Sequence, residues 1–110
     1  MIGRAIYEFD GFGFKFGMYS SSVTEKESGC GISGLLKKMN TEGEATTAIL
    51  QYFYGGAVAY VAYKKLPITV TLDLVADWID IIGEAEAARI LTDSLTFPKN
   101  SEAPKETGQI

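Results

Sequence analysis

Histidine is absent from this chain of 110 residues. That removes the commonest general base and the commonest metal ligand. No Ser-His-Asp or Cys-His arrangement can be assembled without it. Cysteine occurs once, as Cys30, so an internal disulfide is impossible. One cysteine without histidine also makes a zinc site an improbable reading. Cys30 lies between Gly29 and Gly31 with no base beside it, and it is read as incidental. Positive charge is scarce: the formal net charge is −4, and the only adjacent basic pairs are Lys37-Lys38 and Lys64-Lys65. Such a balance attracts neither phosphate backbones nor anionic lipid, so nucleic acid and membrane are not expected partners. A long hydrophobic run is missing too. The longest covers Ala48 to Tyr63, 16 residues interrupted by Gln51 and Gly55-Gly56, where a membrane span needs about 20. It reads as a buried core helix. No basic segment followed by an apolar stretch opens the chain, so a cytoplasmic location is the expectation.

What is present suits one globular domain. The composition is 46% hydrophobic and 22% charged, too apolar for a disordered chain. The expected fold class is mainly α, with an α+β layout: an N-terminal β-hairpin packed on a small bundle of four to five helices. The globular part is expected over residues 1–97 and a flexible C-terminal tail over 98–110, where two prolines and few apolar residues occur.

Residues 4–17 read as the hairpin. Asp10-Gly11 signals a two-residue turn of type I′, with positive φ at both central positions. Phe12, Phe14 and Phe16 then alternate with Gly13 and Lys15, which places three phenylalanines on one face. Helices must cover that face, because a hairpin alone is marginal in water.

Five helices follow in the pattern. The first is expected at about 18–28, with Met18, Tyr19 and Val23 inward, although Ser20-Ser21-Ser22 is poor helix material. A second, about 33–40, has Ser33 as its cap and Leu35, Leu36 and Met39 as apolar positions. The third, 44–64, is apolar nearly all round, which implies burial on more than one side. Gly55-Gly56 in its middle costs roughly 1 kcal/mol per glycine relative to alanine, so close approach of another helix or of the hairpin is expected there, with a kink as the alternative. Thr71 caps a fourth helix, 72–82, with Asp73 in the first turn. Its inner stripe is Leu72, Val75, Ile79 and Ile82, flanked by Leu74 and Trp78. Gly83 stops it, and a fifth runs over 84–95 through Ala88, Leu91 and Leu95.

Three patterns invite chemistry and are read otherwise. Asp73, Asp77 and Asp80 share a helix face, but tight ion sites draw ligands from loops as well, so this is a solvated face. Gly11, Gly13 and Gly17 do not keep the dinucleotide-binding spacing, and no βαβ unit follows. The alternating phenylalanines suit core packing better than base stacking in an acidic chain. Catalytic, cofactor-binding and metal-binding residues are therefore all expected to be absent. Protein binding remains. Tyr52, Tyr54, Tyr60 and Tyr63 cannot all point inward from one helix, and an exposed tyrosine strip is the candidate partner-binding surface.

Three segments carry a family resemblance. Phe14-Lys15-Phe16-Gly17-Met18-Tyr19 follows the hairpin and opens the first helix. Ile49-Leu50-Gln51-Tyr52-Phe53-Tyr54-Gly55-Gly56 lies in the central helix. Thr71-Leu72-Asp73-Leu74-Val75-Ala76-Asp77-Trp78-Ile79-Asp80 starts the fourth. Their order and spacing resemble the tail assembly chaperones of tailed bacteriophages and prophages, in particular the Bacteroides type. The resemblance spans about residues 4–95. Ser20-Ser21-Ser22 and the Gly-Cys-Gly stretch depart from it. It implies a non-enzymatic assembly factor in the bacterial host cytoplasm, with no cofactor. Its implied client is the tape measure protein, with the tail tube protein and self-association as further partners. A structural or protein-interaction subunit of a phage particle is the alternative with the same layout.

Overall fold

The computed structural model describes the backbone of residues 5–102 and the side chains of residues 6–95. A two-residue turn at Asp10-Gly11 folds β1 (Ala5–Phe9) back on β2 (Phe12–Phe16) as an antiparallel hairpin. Gly11 has φ 92°, whereas Asp10 is not among the positive-φ residues. The expected type I′ turn is therefore not formed: only the residue without a β-carbon enters the left-handed region. In the pairing register Tyr7 faces Phe14 and Phe9 faces Phe12, while Glu8 faces Gly13 and Ile6 faces Lys15. One face of the hairpin is thus aromatic and the other mixed.

Five helices follow: α1 (Met18–Ser28), α2 (Ile32–Met39), α3 (Ala45–Tyr63), α4 (Leu72–Ile82) and α5 (Glu84–Glu102). The expected fold class, a hairpin on a helical body, is what forms. The helix bounds agree within one residue except at the end. There α5 continues past Leu95 and through Pro98 to Glu102, into the segment expected to be a tail. Proline removes one amide donor, but its fixed φ is close to the helical value. The rest of the expected tail, 103–110, lies outside the described residues, as does Arg4 at the start of the hairpin.

The core forms where α3 crosses β2. Phe14 and Phe53 are fully buried with ring centroids 5.1 Å apart, and Phe16 stacks on Tyr52 at 4.7 Å. Trp78 of α4 stacks on Phe12 at 4.9 Å and 9°. These pairs add about 0.5–1.5 kcal/mol each beyond their buried area. The three phenylalanines of β2 are buried in the core, as their alternation predicts.

The glycine pair of α3 serves both neighbours. A β-carbon at Gly56 would stand 2.5 Å from the Phe16 ring. One at Gly55 would collide with Thr24 Oγ1 and stand 2.6 Å from the Ser20 carbonyl oxygen of α1. Gly13 of β2 meets the Tyr60 ring in the same way, at 2.7 Å.

This contact explains a correction in α1. Its buried residues are Ser20 and Thr24, whereas Met18 and Tyr19 are exposed at 78% and 47%. Val23 is half-buried. The inner face is small and polar because the backbone of α3 lies against it. Ser20 also secures the start of the helix: its hydroxyl accepts from Gly17 N–H at 2.8 Å and donates to the Gly17 carbonyl at 2.9 Å. Serine is poor in a helix interior but suited to the first turn.

Helix ends explain further differences. Ser33 is not a cap, because α2 starts one residue earlier with Gly31 in that position. Thr71 caps α4 as expected, its Oγ1 accepting from Leu74 N–H at 3.2 Å. At the end of α3, Lys65 N–H bonds to Ala62 O and Leu66 N–H to Val61 O, with Lys65 at φ 60°. That is a Schellman termination with lysine at the position glycine usually takes.

Replacing Gly55 by alanine tests the crossing. In an open helix the change stabilises by about 1 kcal/mol. Here overpacking against the α1 backbone should reverse the sign, with a net loss of about 1–2 kcal/mol. A urea midpoint for Gly55→Ala at or above that of the parent protein would refute the packing account.

Candidate functional site

The four tyrosines of α3 do not form one strip. Tyr52 and Tyr60 are buried, Tyr54 is half-buried, and Tyr63 is exposed at 48%. The partner-binding assignment of Tyr52 and Tyr60 is thereby corrected. Both lie on the side of α3 that meets the hairpin, so their rings belong to the core and only their hydroxyls find polar partners.

Each hydroxyl ties two elements together. Tyr52 Oη lies 2.8 Å from Ser94 Oγ of α5. Either hydroxyl can donate in this pair, and Ser94 Oγ also lies 3.1 Å from Leu91 O. Burial pushes the Tyr52 pKa up. Tyr7 of β1 donates to Asp93 Oδ2 at 2.6 Å. Burial first, and then this bond to a carboxylate, raise the Tyr7 pKa above its ordinary value. Together these two bonds fasten α5 to the hairpin and to α3.

A third tie sits at the other end of α3. Tyr60 donates to Glu8 Oε2 at 2.9 Å, and Lys64 Nζ lies 3.2 Å from the same oxygen. Lys15 Nζ stands 5.5 Å from the centre of the exposed Tyr63 ring. This patch joins the mixed face of the hairpin to the end of α3. Lys64 is paired with Glu8 there, and Lys15 packs over the Tyr63 ring.

An open concavity lies elsewhere among the described residues. A cleft of about 340 Å³ lies between α3, α4 and α5. From α3 it receives Thr46, Ile49 and Leu50. From α4 come Ala76, Ile79 and Asp80. From α5 come Glu84, Ala87, Ala88 and Leu91. Each set has helical i, i+3, i+4 spacing, so each helix presents one face to the gap. The walls are mostly apolar, and the two charged lining residues, Asp80 and Glu84, are both acidic.

The hydrophobic pattern of the sequence does not reveal this cleft, for a definite reason. It put Ala88, Leu91 and Leu95 on the inner stripe of the last helix. The buried residues there are Ala87, Ile90 and Ser94, while Ala88 is exposed and Leu91 half-buried. The helix is rotated by one position relative to the expectation. The signal available was Ser94: a buried serine can replace an apolar residue where a tyrosine hydroxyl needs a partner. On α4, Val75 is fully buried, Ile79 is half-buried, and Ile81 is exposed at 71%. Asp73, Asp77 and Asp80 are exposed, and among the described residues no group of three or more acidic or cysteine side chains is placed to hold a metal ion. No helix among the described residues is long and apolar enough to cross a membrane.

The Glu8 tie has a pH signature. The Tyr60 hydrogen bond, followed by the Lys64 ammonium, holds the Glu8 carboxyl below its ordinary pKa of 4.5. A depressed carboxylate contributes stability that is complete above its unfolded pKa and is lost as pH falls through the folded one. Glu8→Gln should therefore lose less stability than the parent protein between about pH 5 and pH 3. Urea midpoints for the two proteins at both pH values provide the check. Parallel changes would mean that the tie carries no net energy.

Comparison of the chain with family models, curated proteins and solved structures returns no match.

Proposed function

We propose that this protein is a non-enzymatic tail assembly chaperone of a tailed bacteriophage or prophage, binding the tape measure protein while the tail is built. The observation that carries this reading is the open apolar cleft between α3, α4 and α5. Apolar walls exposed on a helical body suit an extended helical client. The resemblance adds direction. Two of its three segments, Ile49–Gly56 and Thr71–Asp80, contribute cleft residues: Ile49 and Leu50 from one, Ala76, Ile79 and Asp80 from the other. The third, Phe14–Tyr19, spans the joint between β2 and α1.

The polar groups of the interior support binding over catalysis. The hydroxyls of Tyr7, Tyr52 and Tyr60 are each engaged with a neighbouring element. They act as fasteners within the fold. A long client with repeated apolar stripes would engage many copies at once, and weak single contacts would add up to firm coating.

Co-expression with the tape measure product of the same locus tests the reading. The two should co-purify. Ala88→Arg, an exposed position on the cleft wall, should abolish co-purification. Its thermal midpoint should stay close to that of the parent protein, since an exposed substitution usually costs within about 0.5 kcal/mol. Absence of a complex, with both proteins in solution, would sink the proposal. Retention of the protein in purified finished tails would identify a structural subunit instead.

A further inference from the structure

We infer that the cleft receives a single amphipathic helix whose apolar stripe is bordered by basic residues, an inference that rests on the chaperone reading for the identity of the client. Its geometry is that of a helix bundle with one position vacant. Three helices turn i, i+3, i+4 faces toward one gap, and the natural filler for such a gap is a fourth helix packed in their grooves. Three of the wall residues are alanines, Ala76, Ala87 and Ala88. Short walls let a helix approach closely and leave room for its larger side chains. Ile49, Leu50, Ile79 and Leu91 supply the apolar floor and shoulders.

Charge selects among helices. Asp80 and Glu84 line the cleft where α4 passes into α5, and no basic residue among the described residues lines it. The whole chain adds a formal net charge of −4. A helix bordered by lysine or arginine would meet these carboxylates, whereas one bordered by acids would be repelled. The same argument disfavours a second copy of this chain as occupant, because cleft-to-cleft packing would set Asp80 and Glu84 against their own duplicates. A small polar ligand fits less well, since the walls offer few convergent polar groups.

Two designed helical peptides of one length and one apolar stripe, bordered by lysine in one and by glutamate in the other, provide the test by isothermal titration calorimetry. The lysine-bordered peptide should bind, and the glutamate-bordered one should bind about fivefold more weakly at low salt, the scale of two exposed ion pairs. Asp80→Asn with Glu84→Gln should close the gap, as should high salt. Ala88→Arg should remove binding of both. Equal affinity of the two peptides, a gap untouched by the double substitution, or no binding of either would overturn the inference. So would sedimentation showing a dimer that Ala88→Arg converts to monomer. Co-purification with the tape measure product is scored separately. If it persists while the peptides fail, the chaperone reading stands and the basic-helix inference falls. If the peptides behave as expected while co-purification fails, the inference stands with a different client.

Discussion

At Gly55 and Gly56, α3 comes as near to its neighbours as a polypeptide backbone can, with α1 against the first glycine and the Phe16 ring against the second. Neither glycine contributes a side chain of its own, so the spacing of the three elements is set by the α3 backbone, by Ser20 and Thr24 of α1, and by the Phe16 ring. Everything around the crossing is matched to it. Ser20 and Thr24 are small where α1 lies against α3. Gly13 admits the Tyr60 ring where the other face of β2 meets the helix. Glycine is an inferior helix former, and its use twice in succession is compensated by the contact it permits.

The close crossing brings the aromatic face of the hairpin onto α3 and α4. Phe12, Phe14 and Phe16 then pack in sequence with Trp78, Phe53 and Tyr52. A two-stranded sheet has little stability of its own. Here its side chains are the central layer of the core, so the hairpin is held by the helices and the helices are held by the hairpin. Phe14 and Phe53 are both fully buried, each stabilising the fold by roughly 1.5–3 kcal/mol.

α5 is attached differently. Its buried stripe is Ala87, Ile90 and Ser94, a modest apolar surface that includes a serine, and it is supplemented by hydrogen bonds with Tyr52 and Tyr7. Directional bonds fix the rotation of a helix about its axis more strictly than alanine contacts do. The rotation chosen leaves Ala88 exposed and Leu91 half-buried, both on the wall of the cleft that faces α3 and α4. The cleft proposed to bind a client is thus a consequence of where two hydroxyl bonds hold the last helix.

Local chemistry written in the chain was enough for the element order. The alternation at Phe12, Phe14 and Phe16, the Thr71 cap, the Gly83 stop and the apolar run through α3 each act over a few residues, so each can be read without the fold. The glycine pair even announced a close approach, though not which of two neighbours would use it, and both do. What only the tertiary structure decided is which face of each helix turns inward. Ser20 and Thr24 displaced Met18 and Tyr19 because α1 meets the glycine backbone of α3, and Ser94 is buried beside the half-buried Leu91 and Leu95 because it bonds the Tyr52 hydroxyl. The tyrosines of α3 were divided between core and surface for the same reason. Burial depends on the partner that arrives from elsewhere in the chain, and hydrophobicity along one helix does not encode that partner.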